Sequence, residues 1–399
     1  MIVVINDGGK LSLKMNFVVQ AYKLNSNEEF FYVFRRVDSR FEEKWGNNQV
    51  DLASTASGNF IHFLLMLVKS PKNMRDGLLK RFSRTNSSRV LFAEGFLTSL
   101  SQALGEYFDK PARTKLLIDF LRKLNSPNSF LIDEFTSARI VNLKTLKPFG
   151  SIVYVSQDVA YDHFNFGNNA ITKTLMRKLE RNTVALSDMV IACSERDRLK
   201  YLEMGAKKVL FYPNIYPITE FKPVCKDPEP SMSIVLRGQW GDRSSRSLQE
   251  IFKALSRINT KIKVYLIGIS SQCVPKNVVL QHYEYVPTKT DYLTILSKSW
   301  VGLNVGIHLG GTNERKYDYA MAGLVVLSDN FGSRGDLLPY EYTYVDGYDL
   351  AAKLNQLLRL GKDRLVDMGL QNREQILSLA KTQRRKLLAA INATILENH

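Results

Sequence analysis

Two glycine pairs stand where a backbone could hold an anion. Gly310-Gly311 follows the apolar run Trp300–Val305 and precedes Thr312 and Asn313, either of which caps a following helix well. A glycine turn feeding a helix start exposes free N–H groups and the positive end of the helix dipole, a combination that binds phosphates. The same residues also fit a plain strand–turn–helix unit with no ligand, so the stretch alone leaves both readings open. Gly8-Gly9, after the apolar Ile2–Ile5, repeats the arrangement near the N-terminus. Metal chemistry has less support. His62, His282, His308 and His399 show no metal-ligand spacing, and Cys193, Cys225 and Cys273 form no CxxC pair. Cysteines so widely spaced argue against a disulfide framework and suit a reducing compartment.

Parallel strands must position these turns. The first half alternates strand and helix: Ile2–Ile5, Glu29–Arg35, Arg89–Ala93, Phe130–Asp133, Ser151–Ser156, Met189–Ala192 and Lys208–Tyr212 have strand character. Helices are expected at Leu13–Tyr22, Phe60–Leu67, Arg75–Phe82, Leu97–Tyr107, Thr114–Leu124 and Thr172–Leu186, and at Glu195–Met204, which Gly205 closes. In Thr114–Leu124 the apolar face is Leu116, Leu117, Phe120 and Leu121. Pro217–Pro230 then holds four of the twelve prolines and has no periodicity, as a linker would. Alternation resumes with strands Ser233–Leu236, Lys263–Ile267, Val278–Leu280, Val301–Val305, Leu324–Leu327 and Tyr344–Val345. Helices Leu248–Arg257 and Asp291–Lys298 lie among them, as does one carrying Tyr317, Ala320 and Met321 and ending at Gly323. Leu350–Leu360 and Leu365–Leu396 close the chain as helices. This predicts two α/β domains with parallel sheets covered on both faces. Ligands in such sheets sit at the carboxyl ends of strands. Those ends are Gly8-Gly9, Glu94-Gly95, Asp133-Glu134, Gln157-Asp158 and Ser194.

Composition fits a globular protein of two domains: 399 residues, 45% hydrophobic and 24% charged. Met1 leads directly into a strand, and the longest apolar run, Phe60–Val68, is too short to span a bilayer, so a soluble cytoplasmic protein is expected. The net charge is +16, and Ile61–Asn125 holds 12 basic residues against 5 acidic. That balance fits an anionic partner (phospholipid, lipid-linked phosphate or nucleic acid) or a solvated, lysine-rich surface.

Four stretches, in order, resemble a GT-B glycosyltransferase of glycosyltransferase family 4. Leu186–Asn214 carries Asp188, Ser194, Gly205, Pro213 and Asn214 where that family ends its N-terminal domain. Ile234–Leu255 and Lys263–Val286 resemble the first strands of its C-terminal domain, and YDYAMAGLVVLSD (Tyr317–Asp329) resembles its "yEyma.G.pvv.sd" signature. The resemblance implies two Rossmann-like domains facing across a cleft, with a C-terminal helix returning to the N-terminal domain. Expected boundaries are an acceptor-binding domain 1–216, a linker 217–230, a nucleotide-sugar-binding domain 231–380 and the returning helix 381–399. The implied activity is retaining, hexosyltransferase-like and metal-independent, in glycan biosynthesis. A nucleotide-diphosphate sugar is the donor substrate and a glycan or lipid-linked molecule the acceptor, with no cofactor. An anionic inner membrane face is an expected partner and nucleic acid is not.

The resemblance also places residues. Arg243 and Arg246 occupy the region of a basic pair that meets the diphosphate, Arg246 just before the helix at Leu248; the bland alternative is two surface arginines. Gly310, Gly311, Thr312 and Asn313 would offer N–H groups to the diphosphate or sugar. Asp318 stands where the family binds ribose through glutamate, and Gly310 where its other glutamate belongs. Arg315 and Lys316 either supply charge to the loop or lie on the helix surface. Gly8 and Gly9 would face the donor phosphate. His163 sits where the family often touches the donor sugar, or is a structural histidine. His163 and Arg246 are thus the expected catalytic residues. Cleaving a glycosyl–phosphate bond builds negative charge on the leaving diphosphate, so preorganised cations and N–H donors are what such a site needs. Competing readings are a non-catalytic scaffold of the same fold, a nucleic-acid-binding protein and a nucleotide-sugar epimerase.

Overall fold

A computed structural model of the chain describes residues 1–6, 15, 18–20, 23, 30–34, 49–51, 110, 111, 113–123, 129–133, 138, 141–156, 159, 170–215, 221–236, 242–270, 273–305, 314–329 and 337–397. The elements expected at 60–67, 75–82, 89–93 and 97–107, and most of 13–22, lie outside these residues. The chain divides into two units. One comprises Met1–Ala192, Arg198–Phe211 and Leu387–His399, and the other Cys193–Asp197 and Tyr212–Lys386.

The first unit is built on β1 (Ile2–Asn6), β2 (Phe30–Phe34), β3 (Gln49–Asp51), β4 (Ser129–Asp133), β5 (Ser151–Val155), β6 (Met189–Ala192) and β7 (Val209–Phe211). All pair in parallel, in the order β3-β2-β1-β4-β5-β6-β7. Every residue of β1, β4 and β5 is buried. A strand covered on both faces requires this, which is why these segments read as continuous apolar runs rather than alternating ones. In the helical stretch 113–121, Leu117 and Leu121 are buried but Leu116 is 45% exposed. The buried stripe follows the i, i+4 pair, and Leu116 lies off its edge, contrary to the expected inward face.

The second unit contains β8 (Ser231–Leu236), β9 (Ile262–Gly268), β10 (Val278–Tyr283), β11 (Val301–Asn304), β12 (Val325–Asp329) and β13 (Glu341–Tyr344). Its order is β10-β9-β8-β11-β12-β13, again all parallel. Counted within each unit, both sheets run 3-2-1-4-5-6, the doubly wound order, and the first adds a seventh strand. The order reverses beside β1 and β4 in the first unit and beside β8 and β11 in the second, which are the places where such sheets bind ligands.

One face of the second sheet packs Met232, Ile234 and Leu236 against Leu248, Ile251, Phe252, Leu350 and Leu354. The other packs Val235 and Val326 against Leu293, Tyr317, Tyr319, Met321 and Ile376. The first of these helices spans Asp242–Leu255, starting six residues earlier than expected. Its opening residues, Asp242-Arg243-Ser244-Ser245, are polar and show no apolar stripe, so the pattern became visible only at Leu248. Residues 221–230, within the stretch read as a linker, are tied to this unit. The Asp227 carboxylate accepts from the Tyr265 hydroxyl at 2.6 Å and pairs with Lys263 at 3.4 Å, and the Trp300 indole N–H donates to the Asp227 carbonyl at 2.9 Å.

The last helix, Lys362–Leu396, is 35 residues long. Up to Lys386 it belongs to the second unit and from Leu387 to the first. At its end the Ser151 hydroxyl donates to the Thr394 carbonyl at 3.0 Å, so the C-terminal helix returns to the N-terminal sheet as expected. Earlier along it, the Asn372 amide donates to the carbonyls of Leu324 and Tyr340, both at 3.0 Å.

Candidate functional site

The switch point of the second unit is shaped by one tyrosine. β8 and β11 pair only from Met232–Val301 to Ile234–Leu303. Beyond that pair, the hydroxyl of Tyr319 takes over the ladder. It accepts from the Val235 N–H at 3.0 Å and donates to the Leu303 carbonyl at 3.0 Å. Tyr319 is fully buried, and burial raises its hydroxyl pKa, which keeps it a donor at ordinary pH. Its ring needs room over β11, and Gly302 supplies it: a Cβ there would lie 2.3 Å from the ring's Cγ. Arg315 donates to the Val235 carbonyl at 2.5 Å. Tyr319 and Arg315 both belong to the helix Glu314–Met321, which is therefore pinned to two strands at their carboxyl ends.

That helix presents Asp318 on its partly open side. Asp318 Oδ1 accepts from the Lys289 ammonium at 2.5 Å, with the two side chains 13% and 31% exposed. Lys289 is the first residue of the helix Lys289–Ser297, whose N-cap Thr288 accepts from the Asp291 N–H at 3.0 Å. The same ammonium lies 4.8 Å from the centroid of the Tyr292 ring. The helix ends in a turn at Gly323, in the left-handed region (φ 73°), as the sequence predicts. Lys226 there donates to the carbonyls of Gly323 at 2.9 Å and Ala322 at 3.4 Å. Burial lowers the Lys226 pKa to about 7.

Lys316 does not lie on the helix surface, and Arg315 is half-buried. Lys316 is 1% exposed and pairs with Glu341 at 3.3 Å. Glu341 accepts from Ser328 at 3.0 Å, and Ser328 accepts from the Asn304 amide at 3.1 Å. A buried polar chain thus runs from the carboxyl ends of β11 and β12 to the first residue of β13. Asn304 and Ser328 are fully buried, which makes every link in it costly to break.

In the first unit, Asn6 and Asp133 close β1 and β4 at the switch point, and the Asn6 amide donates to the Asp133 carboxylate at 2.7 Å. Asp133 is thus at a strand end where a ligand is expected. Past β5, the hydroxyls of Ser156 and Tyr201 are 2.5 Å apart, and Glu180 accepts from Tyr201 at 2.9 Å and Tyr154 at 3.2 Å. Two motif residues prove architectural. The Asp188 carboxylate accepts from the Ile152 N–H at 2.9 Å and pairs with Lys147 and Lys207, and Ser194 caps the helix Glu195–Glu203 by accepting from the Asp197 N–H at 3.0 Å.

Of the expected site residues, Asp318 is the one whose side chain is described. Gly8, Gly9, His163, Gly310, Gly311, Thr312 and Asn313 lie outside the described residues. Arg243 and Arg246 are in the first turns of the helix Asp242–Leu255 rather than ahead of it, and their side chains are outside the description. Sequence reasoning missed Tyr319, Gly302 and Lys289. Among the described residues no group of three or more His, Cys, Asp or Glu could hold a metal ion, and no helix is long and apolar enough to cross a membrane.

No family model matches this sequence, and no curated protein does. Solved structures do match. Sucrose-phosphate synthase from Thermosynechococcus elongatus superposes with a TM-score of 0.62 at 13% identity, covering 98% of this chain and 99% of its own. Anabaena HepE, in complex with UDP-glucose, gives 0.58 at 9% identity, covering 98% and 99%. TarM gives 0.52 at 15% identity over 70% of this chain, and this chain spans 58% of TarM's length. Two parallel sheets in the same doubly wound order and near-complete coverage agree: the chain has the GT-B fold.

Proposed function

We propose that the chain is a retaining glycosyltransferase, related to glycosyltransferase family 4, that moves a sugar from a nucleotide-diphosphate donor to a glycan or lipid-linked acceptor. The observation that carries this reading is Asp318. A partly shielded carboxylate stands on a helix pinned to the switch point of a doubly wound sheet, where it can accept hydrogen bonds from the ribose hydroxyls of a nucleotide. Support comes from the neighbouring structures, since HepE was solved with UDP-glucose and with UDP and glucose.

In this reading the N–H groups of Gly310, Gly311, Thr312 and Asn313, with Arg243 and Arg246, receive charge on the leaving diphosphate. Gly8 and Gly9 are further donor-phosphate residues in this reading, and His163 a catalytic residue that contacts the donor sugar. The leaving phosphate itself takes the acceptor proton, so no separate carboxylate base is required. The work is done by groups aimed at charge that develops only in the transition state. The setting proposed is cytoplasmic, at an anionic membrane surface. The test is product analysis. The protein is incubated with UDP-, GDP- and ADP-sugars and candidate acceptors, released nucleoside diphosphate is measured, and the product's anomeric configuration is read by NMR. Transfer with retained configuration is expected. Release of nucleotide with an inverted product refutes the retaining course, and an unchanged panel refutes the enzyme reading in favour of a scaffold.

A further inference from the structure

The buried chain that ties the helix Glu314–Met321 to the strand ends is a poor way to gain stability. Lys316 and Glu341, 1% and 6% exposed, give up the hydration of two charges, and a pair of packed apolar side chains is often as stable or more so. The far end of the chain is less favourable still. Ser328 gives its one hydrogen to Glu341 Oε1 at 3.0 Å, so its oxygen must accept the Asn304 amide N–H at 3.1 Å. That fixes the amide's orientation and leaves Asn304 Oδ1, in a fully buried side chain, with no hydrogen-bond partner in the protein. Most buried polar atoms are satisfied, and one that is not calls for a reason other than packing.

The place of the chain supplies that reason. Asn304 ends β11 and Ser328 is the penultimate residue of β12, at the end of the sheet where doubly wound folds bind ligands. Lys316 lies in the first turn of the helix. Apolar contacts are non-directional and let a helix slip over a sheet, and a slip of one residue is about 1.5 Å along the axis and about 100° around it. An ion pair continued by two oriented hydrogen bonds holds one register. We propose that Lys316 and Glu341 are positioning residues whose buried pair, continued through Ser328 to Asn304, sets the register of the helix Glu314–Met321 and with it the geometry of donor binding. Neither side chain touches the donor, and both act through the helix. This rests on the donor-site reading of that helix.

The test sets binding against stability. The full chain is titrated by calorimetry with UDP-, GDP- and ADP-sugars, and thermal melting is followed on the same proteins. The double variant Lys316→Met/Glu341→Leu should melt near wild type, yet bind the tightest of those donors about tenfold more weakly, the size of one hydrogen bond to a charged group put out of place. Asn304→Leu keeps the volume and removes the unpartnered oxygen. It should melt at or above the wild-type temperature and also bind more weakly, by a smaller factor because the ion pair remains, and it decides the matter if the double variant does not fold. A folded double variant that binds as wild type does, or that melts far below it, overturns the positioning role and leaves the donor site standing. No donor binding by wild type overturns the donor site and this proposal together.

Discussion

Replacing Tyr319 by phenylalanine removes one oxygen atom and nothing else, and that atom carries the junction of β8 and β11. The Val235 N–H and the Leu303 carbonyl both lose their partner in a place without solvent, because Tyr319 is fully buried. A buried polar group left unsatisfied costs about 1–3 kcal/mol, and an orphaned N–H is rarer and worse tolerated than a carbonyl. Two such groups put the loss at about 2–6 kcal/mol. In a domain of ordinary size that lowers the melting temperature by roughly 5–20 °C. Scanning calorimetry on wild type and Tyr319→Phe reads it directly. The partner experiment is Gly302→Ala. Its Cβ would lie 2.3 Å from the Tyr319 ring and force it aside, costing about 1–3 kcal/mol or more. In a Tyr319→Ala background the obstruction is gone, so the same glycine change should cost little and the double-mutant cycle should show a coupling above about 1 kcal/mol. Tyr319→Phe within about 0.5 kcal/mol of wild type, or additive behaviour in the cycle, refutes the wedge.

Three further outcomes follow from the same geometry. Lys226 has a folded pKa of about 7, below the value of an unfolded lysine. The unfolded chain therefore binds more protons between pH 7 and the unfolded pKa, and stability rises with pH across that window and is flat below it. Urea denaturation at pH 6.5 and 9 should show a rise that is absent from Lys226→Met. Lys316→Met should lose about 3–5 kcal/mol by stranding Glu341, whereas the double change with Glu341→Leu should recover most of it. Lys289→Met should leave the melting temperature nearly unchanged on thermal denaturation, because its ion pair with Asp318 is partly exposed.

The alternation of strand and helix was legible because strands buried on both faces are written as unbroken apolar runs, as in β1 and β5. Asp318 entered only through the resemblance of Tyr317–Asp329 to a family signature, a pattern contained in one short stretch. Tyr319 was not legible. It reads as one more aromatic on a packed helix, and its partners are backbone groups 84 and 16 residues away. Lys289 was hidden in the same way, 29 residues from Asp318 with no periodic signal joining them. Lys316 offered a faint sign, since it stands three and four residues before the buried Tyr319 and Ala320 and so shares their face. A lysine among such residues is more often solvated, and only a carboxylate from β13 makes its burial possible. The start of the helix at Asp242 was obscured by polar residues that have helical geometry but no apolar face.

The central claim is that the second unit binds a nucleotide-diphosphate sugar with Asp318 on its ribose. Calorimetric titration of wild type and Asp318→Ala with UDP-, GDP- and ADP-sugars tests it most directly. The account predicts saturable binding of at least one donor by wild type and a loss of about tenfold or more in Asp318→Ala at an unchanged melting temperature. Equal affinity in the two proteins, or no binding of any donor by wild type, contradicts it.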